Sequence, residues 1–421
     1  MLDIKYIREN PDLVKQNCKN RKVDCDIDLL LDLDIKRREV MQKAEGLQAM
    51  VNEKSKTKPT EEIITQIKGW NREIKKLEEE LKIVEKELKD AWIKVPNMTH
   101  PETPIGGEED FRVVFESEKA KPFSFNPKNH VELMEELGLI DFERGTKVTG
   151  SKFFFQKGDL VLLNQALMQY GIDIVTKHGY QLMETPDLAK NEILEGIGFN
   201  PRGEETQVYS IDNSDLSLIG TAEITIGGYH ANEILDLSNG PKKYVALSHC
   251  FRTEAGAYGR ESKGLYRVHQ FTKLEMFVFC LPEESEKYHE EILSIEKELI
   301  EGLGLPYRVI DIASGDLGGP AYKKYDLEAW MTMKRDGDSQ GGYGEVTSCS
   351  NCTDFQARRL NIRYKNENGK NDFVHTLNGT AVNNVRWPLA IFENYQQEDG
   401  SVRVPTVLQK YMNNQDVIRK K

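Results

Sequence analysis

The sequence predicts an α+β protein, a mostly antiparallel sheet flanked by helices, with an N-terminal antiparallel coiled-coil hairpin. Three observations lead there. Apolar residues recur in alternating steps of three and four on both sides of one short turn. Beyond residue 100, helical and β-rich stretches interleave, and hairpin-like pairs outnumber βαβ units. Neither GxGxxG nor GxxxxGK[ST] occurs, so a nucleotide site here rests on neither a Rossmann nor a P-loop frame.

Residues 1–25 read as a short helical lead-in. From about Ile27, residues Leu30, Leu33, Val40, Ala44, Leu47 and Val51 keep heptad stepping, with Arg37 the one polar intruder. Ser55–Thr60 is a turn. Ile67, Trp70, Ile74, Leu77, Leu81, Val84, Leu88, Ala91 and Val95 continue the pattern until Pro96. Dense charge on the remaining positions favours two helices that mostly touch each other and water. A Pro/Gly-bearing linker follows (100–107), so the expected domains are 1–100, holding the arm over about 27–95, and 101–421. In the second domain, helices are expected at Asn129–Leu137, Asp159–Lys177 and Glu283–Leu303. Strands are expected at Tyr244–Phe251, Tyr266–Phe279, Tyr307–Ile312 and Phe373–Leu377.

The chain of 421 residues is acidic, with formal net charge −12, which as a whole argues against a nucleic-acid binder. Residues 36–94 depart from this, with 15 Lys+Arg against 12 Asp+Glu. An arm that grips RNA and a solvated helical hairpin both fit that local excess. The six cysteines are scattered, which suits a reducing compartment, and Cys349-Ser-Asn-Cys352 lacks the four ligands a structural metal site wants. MLDIKYIREN has no signal core, and no apolar run approaches a membrane span, so a cytoplasmic protein is expected.

The most informative stretch is FRTEAGAYGRESKGLYRVHQFTKLEM, residues 251–276. Read as two strands around a polar loop, it puts Arg267, His269, Phe271, Lys273 and Glu275 on one face of the second strand. Val268, Leu274, Met276 and Val278 take the other. Phe271 and Glu275 are then about 13 Å apart, roughly the length of a small amino acid joined to AMP. A ring at one end can stack on adenine, and a carboxylate at the other can hold an ammonium.

This stretch resembles motif 2 of the class II aminoacyl-tRNA synthetases, in the version of the seryl-tRNA synthetase family, FRxEAGxxGRxxxGLxRxHQFxKxE. Every fixed position is present. Lys177–Pro186 is similar to motif 1, which builds the class II dimer interface. Leu218–Ile224 resembles the family's Thr-x-Glu serine loop, Glu345–Arg359 its strand beside ATP, and Asn378–Gln396 motif 3. The resemblance spans essentially the whole chain, arm included. It implies a homodimer that activates L-serine with ATP and Mg²⁺, then transfers the seryl group to tRNA(Ser) held by the arm, with tRNA(Sec) a further candidate acceptor.

The resemblance also implies site residues. Arg252, Glu254 and Arg386 are the catalytic expectation. Arg252 is a planar, always-charged fork suited to bridging carboxylate and α-phosphate. ATP falls to Arg252, Thr253, Glu254, Val268, Phe271, Glu345, Val346, Thr347, Ser348 and Arg386, with Phe271 and Arg386 on opposite sides of adenine. Serine falls to Thr221, Ala222, Glu223, Arg252, Glu275, Asn378 and Thr380, with Glu275 on the ammonium. Mg²⁺ falls to Glu345 and Ser348. Read singly, Thr221 is equally a helix cap, and His269 is a structural residue more than a base.

Motif 3 departs from the family pattern. Thr380 stands for Ser, Ala381-Val382 for Gly-Leu, and Trp387-Pro388 follow Arg386. Pro388 demands that the helix begin between Asn383 and Trp387, so that it lies in the first turn. Other classes of function fit less well. A same-fold enzyme loading another acceptor lacks the arm, a dead homologue would not keep Arg252, Glu254, Phe271, Glu275 and Arg386, and a purely structural coiled coil would not carry the site.

Overall fold

The computed structural model describes residues 1–56, 60–199, 207–254, 264–335 and 339–421. They form two compact units, Met1–Met98 and Thr99–Lys421.

In the first unit, two short helices, α1 (Ile4–Glu9) and α2 (Pro11–Asn20), precede the long α3 (Ile27–Lys54) and α4 (Glu61–Trp92). Asp26 caps α3 by accepting the Leu29 N–H, and Thr60 caps α4 by accepting that of Ile63. Of the expected seam, Leu30, Leu33, Val40, Val51, Ile74, Leu77, Val84 and Leu88 are buried. The hairpin turn expected at Ser55–Thr60 has residues 57–59 outside the described residues. At ~1.5 Å per residue α4 is about 48 Å long. It ends earlier than the pattern, because the Val95 N–H turns back to Trp92 and a residue before proline avoids the α region. At the base of the hairpin Ile7, Val14, Cys18, Ile27, Leu30, Leu33, Val84 and Leu88 make one apolar cluster. The seam intruder Arg37 lies 4.0 Å from Asp34. Asp34 itself is fully buried. It accepts two hydrogen bonds from Arg8, at 2.7 and 2.9 Å, and one from Arg38 at 3.2 Å.

The second unit is built on an eight-stranded sheet. Its strands are β1 (Arg112–Glu116), β2 (Gln181–Glu184), β3 (Lys242–Phe251), β4 (Gln270–Cys280), β5 (Tyr307–Asp311), β6 (Lys323–Met331), β7 (Gly342–Asn351) and β8 (His375–Asn383). They lie in the order β1-β5-β6-β7-β8-β4-β3-β2, antiparallel except for β2 beside β3. The helices that position the site are α5 (His130–Glu136), α6 (Asp159–Lys177), α7 (Ala222–Tyr229), α8 (Ser285–Gly302) and α9 (Arg386–Tyr395).

Both sheet faces are covered. Leu274, Met276 and Val278 of β4 and Leu377 of β8 join the large core with residues of α6 and α8. Phe277 and Phe279 of β4 join a smaller core with Ile224 and Ile226 of α7 and Leu194 and Ile197 of the helix Asn191–Ile197. The polar file of β4 therefore runs into a second hydrophobic core after Glu275. This strand also begins later than expected, at Gln270. Leu265, Tyr266 and Val268 are all buried, which strict alternation cannot achieve, so the chain bends there. The strand expected at Phe373–Leu377 instead runs through Asn378-Gly-Thr380 to Asn383. Backbone pairing with β4 on one side and β7 on the other overrides the poor strand preference of those residues.

α9 begins at Arg386, so Pro388 is its third residue and its missing N–H lies in the turn that has no intrahelical acceptor. The Asn383 carboxamide oxygen accepts the N–H groups of Val385 and Arg386, at 3.3 and 2.7 Å, in place of a conventional cap. Ala381 sits where the β4–β8 register shifts by one residue and does not adopt a positive φ, so alanine fits there without strain.

Gly379 explains why β8 and α8 pack so closely. A Cβ there would lie 2.3 Å from Ile292 Cγ2 and 3.0 Å from both Cys349 Cβ and Glu296 Oε1. Gly379→Ala is expected to cost about 1–3 kcal/mol of stability in urea unfolding. The penalty should shrink in an Ile292→Ala background. An equal penalty in both backgrounds would show that this contact is not the cause.

Candidate functional site

Half of the expected site residues fall on β4, β7 and β8, at the centre of the sheet, and the rest lie at the start of α7, in the segments next to β3 and β4, and at the start of α9. Two polar clusters form. The first is built by cross-strand pairing, with Thr380 of β8 directly opposite Glu275 of β4 and Asn378 opposite Phe277. Glu275 is 2% exposed, accepts from the Thr380 hydroxyl at 3.2 Å, and pairs with Lys273 Nζ at 2.6 Å. Lys273 stands two residues before Glu275 and so on the same face, and it too is buried. Sequence reasoning placed it in the file but gave it no role. A buried carboxylate without a cation is costly, and that was the available signal.

Glu223 approaches from the first turn of α7. Its carboxylate accepts from Gln356 Nε2 at 2.7 Å and from the Asn378 side chain. Burial, reinforced by the nearby Glu275 charge, pushes its pKa up to about 7, against the pull of Gln356, Lys273 and Asn378. Gln356 was not anticipated. It lies on the helix Phe355–Leu360 and also accepts the Thr376 hydroxyl proton, so it orders Glu223 from behind. Thr221 is the N-cap of α7, its oxygen accepting the Glu223 N–H at 3.2 Å, and Ala222 is fully buried. The capping role weighed for Thr221 is thus realised, and it aims Glu223.

The second cluster gathers Arg252, Phe271, Glu345 and Arg386. The Arg252 guanidinium lies over the Phe271 ring, 5.2 Å from its centroid, and its Nε donates to the Gly220 carbonyl at 3.1 Å. His269 Nδ1 donates to the Arg252 carbonyl at 2.8 Å, which makes His269 a support of Arg252. Glu254 has φ +49° and lies 3.7 Å from Arg267, while the Thr253 N–H bonds to the Gln207 carbonyl. The remaining loop of the motif 2 resemblance, 255–263, lies outside the described residues.

Arg386 pairs with Glu345 at 2.9 Å and lies over Tyr266, 4.6 Å from the ring centroid. Burial pushes the Glu345 carboxyl up, but Arg386 and Lys324 override it and hold the pKa down at about 2. Tyr266, another residue the sequence did not flag, donates its hydroxyl to the Glu345 carbonyl at 2.9 Å. Val268, Val346 and Thr347 are buried beneath this surface. Ser348 stands opposite Asp326 in the β6–β7 ladder. Val346 is an extra residue in the β6–β7 ladder, so Glu345 and Ser348, three apart, fall on one face, and a carboxylate beside a hydroxyl there is a donor set that suits a hard divalent cation such as Mg²⁺. Among the described residues no cluster of three or more His, Cys, Asp and Glu is arranged to hold a metal by itself.

The two clusters are electrostatically complementary. One end offers buried carboxylates, the other offers Arg252 and Arg386. Such an array suits a molecule with a cationic head and an anionic tail, and its groups are held in place by one another.

The family described as "Seryl-tRNA synthetase N-terminal domain" matches residues 1–99, and "tRNA synthetase class II core domain (G, H, P, S and T)" matches residues 207–395. A serine--tRNA ligase of Treponema denticola is 53% identical over 419 residues, with 98% of each chain covered. One from Rubrobacter xylanophilus is 50% identical at the same coverage. Among solved structures, the seryl-tRNA synthetase of Pyrococcus horikoshii complexed with ATP superposes with a TM-score of 0.91 at 38% identity, with both chains fully covered.

Glu223 gives a test of the site's electrostatics. Its folded pKa of about 7 lies above the usual ~4.3 of a glutamate, so its protonated form is favoured on folding. The stability this gives is present at low pH and lost as pH rises through about 7. Relative to Glu223→Gln, the wild type should lose up to about 3 kcal/mol of unfolding free energy between about pH 5 and pH 8. A difference that does not change with pH would mean that the buried carboxyl does not titrate there.

Proposed function

The chain belongs to the seryl-tRNA synthetase family, and from that premise we propose that it activates L-serine with ATP and transfers the seryl group to the 3′ end of tRNA(Ser). The observation that carries this reading is the pair of clusters along β4, carboxylates at one end and arginines with an aromatic ring at the other.

Serine binds with its ammonium on Glu275, within the Lys273–Glu275–Thr380 cluster, and its hydroxyl among Thr380, Asn378 and Glu223. A pocket built to hydrogen-bond a hydroxyl rejects the analogue without one, because its own polar groups would be left unpaired. Adenine stacks between Phe271 and Arg386, and Arg252 bridges the serine carboxylate and the α-phosphate. The carboxylate oxygen attacks the α-phosphorus, the bond to the pyrophosphate oxygen breaks, and seryl-adenylate forms. Positioning and fixed positive charge supply most of the acceleration. Glu345 and Ser348 would hold Mg²⁺, which neutralises phosphate charge when bound with ATP. The tRNA 3′-terminal hydroxyl then attacks the seryl carbonyl, and AMP leaves. The N-terminal hairpin holds the tRNA, so binding should weaken with salt. The reading also includes a homodimer and a cytoplasmic location. No helix among the described residues is long and apolar enough to cross a membrane.

Serine-dependent ATP–pyrophosphate exchange, followed by charging of tRNA(Ser), tests the whole reading. Absence of serine-dependent exchange would overturn it. Glu275→Ala should lower exchange by about a hundredfold or more while ATP affinity stays within about threefold, since a buried ammonium would lose its charged partner. Near-wild-type exchange would remove Glu275 from that role.

A truncated arm separates the two steps. Removing residues 36–94 entirely would take Val84 and Leu88 out of the base cluster, so the cut must lie further out. Lys36 and Glu80 approach to 3.5 Å and mark a suitable neck. Replacing residues 41–75, just beyond that pair so that Arg37 and Arg38 stay on Asp34, with a short Gly/Ser linker should leave exchange within about twofold and lower tRNA charging at least about a hundredfold, as expected if phosphate contacts lie on the arm. Wild-type charging by the truncated protein would exclude the arm from tRNA binding.

A further inference from the structure

A buried dyad lies outside the groups assigned above and reaches them through the backbone. His130 and Glu393 are 2% and 0% exposed. His130 is the first residue of α5, so its backbone N–H has no intrahelical acceptor. That N–H donates instead to Glu393 Oε1 at 2.8 Å, and the ring Nδ1 meets the same oxygen at 2.7 Å. The second carboxylate oxygen accepts the Met333 N–H at 2.9 Å. Glu393 stands two turns after Arg386 on α9 and therefore on the same side of that helix.

The far side of the imidazole faces the segment that carries Tyr266. The Leu265 N–H points at His130 Nε2 across 3.2 Å. A backbone N–H is a donor only, so Nε2 must accept, and the ring carries its proton on Nδ1, toward the carboxylate. The approach is close enough to require glycine beside it. Gly264 has φ +80°, and a Cβ there would lie 2.7 Å from Nε2. The next residue after Leu265 is Tyr266, whose hydroxyl holds the Glu345 carbonyl and whose ring supports both Arg386 and Lys334, the latter 4.4 Å from the centroid. A contiguous path thus runs from Glu393 through His130, Leu265 and Tyr266 to Glu345 and Arg386.

We propose that His130 is a positioning residue for the nucleotide half of the reaction, fixed by Glu393 as the Nδ1-protonated tautomer so that Nε2 holds the Leu265 N–H and thereby sets Tyr266 against Arg386 and Glu345. Two substitutions divide its contacts. His130→Asn keeps an amide donor near the Nδ1 position and gives up the acceptor for Leu265. His130→Gln reaches the Nε2 position with an amide oxygen and restores that acceptor.

The inference rests on the reading of this site as the ATP site, and serine-dependent exchange by the wild type tests that reading before any variant is made. With exchange established, His130→Asn should raise the ATP KM by about tenfold, the effect of one buried N–H left without its acceptor, while the serine KM stays within about twofold. His130→Gln should recover the ATP KM to within about threefold of wild type. An unchanged ATP KM in His130→Asn, equal rises for ATP and serine, or a His130→Gln enzyme no better than His130→Asn would overturn the proposal. A second measurement needs no folded Asn variant. Nitrogen-15 NMR of the wild-type imidazole, assigned by its loss in His130→Gln, should show a protonated Nδ1 and a bare Nε2 at neutral pH. A proton on Nε2 would refute the assignment.

Discussion

The pairing of β4 with β8 is the constraint on which the site depends. Its register sets Thr380 against Glu275 and Asn378 against Phe277, and after one shifted residue at Ala381 it sets Asn383 against Lys273. Asn383 then performs two tasks. Its Nδ2 donates to the Val346 carbonyl of β7 at 2.8 Å, and its oxygen accepts the N–H groups that open α9. The direction of Arg386 therefore follows from the strand ladder and one carboxamide. A slip of one residue would turn every side chain of β8 to the opposite face and remove the hydroxyl and amide from the carboxylates.

Charge is handled in the same way throughout the sheet. Lys273 with Glu275, Lys324 with Asp326, and Arg308 with Glu328 form ion pairs along or between neighbouring strands, and Arg386 at the start of α9 pairs with Glu345 of β7. An isolated buried charge would be expensive, and pairing offsets most of that cost without making the pairs strongly stabilising. The pairs instead keep ionic groups in place while no ligand is bound. In the reaction proposed above, a ligand bearing an ammonium and phosphates exchanges partners with groups already in position, so little reorganisation is left.

Much of this arrangement could be read in advance from residue periodicity and from the motif 2 segment. Alternation along β4 put Phe271, Lys273 and Glu275 on one face, and the heptads located both arm helices. Pro388 bounded the start of α9 to a few residues. What escaped was what depends on distant chain segments. Tyr266 looks like one more strand residue until the bend at 265–268 turns its hydroxyl to β7. Gln356 matters because of what it touches from distant segments, Glu223 and Thr376, and no local pattern encodes that, whereas Lys273 lies in the same file as Glu275 and was legible as its counter-ion. The late start of β4 has the same origin, since three buried residues there answer to a core that the strand itself does not define. His130 carries no signal at all in sequence, being separated from Leu265 by 135 positions.

The arm has a property of another kind. Its base is tied down by buried Asp34 and three arginines, and the apolar cluster there extends no further along the hairpin than Leu33 and Val84. Beyond that point α3 and α4 pack on each other, with Val40, Val51, Ile74 and Leu77 buried. Length is then a nearly independent variable, provided it changes in matched steps. Seven residues added to both helices extend the hairpin by about 10 Å and return the seam to the same side. An unmatched insertion of two or three residues rotates one stripe away from its partner and exposes it to water. Homologues should therefore differ in arm length by whole heptads, gained or lost as pairs, while the residues around Asp34 keep their spacing.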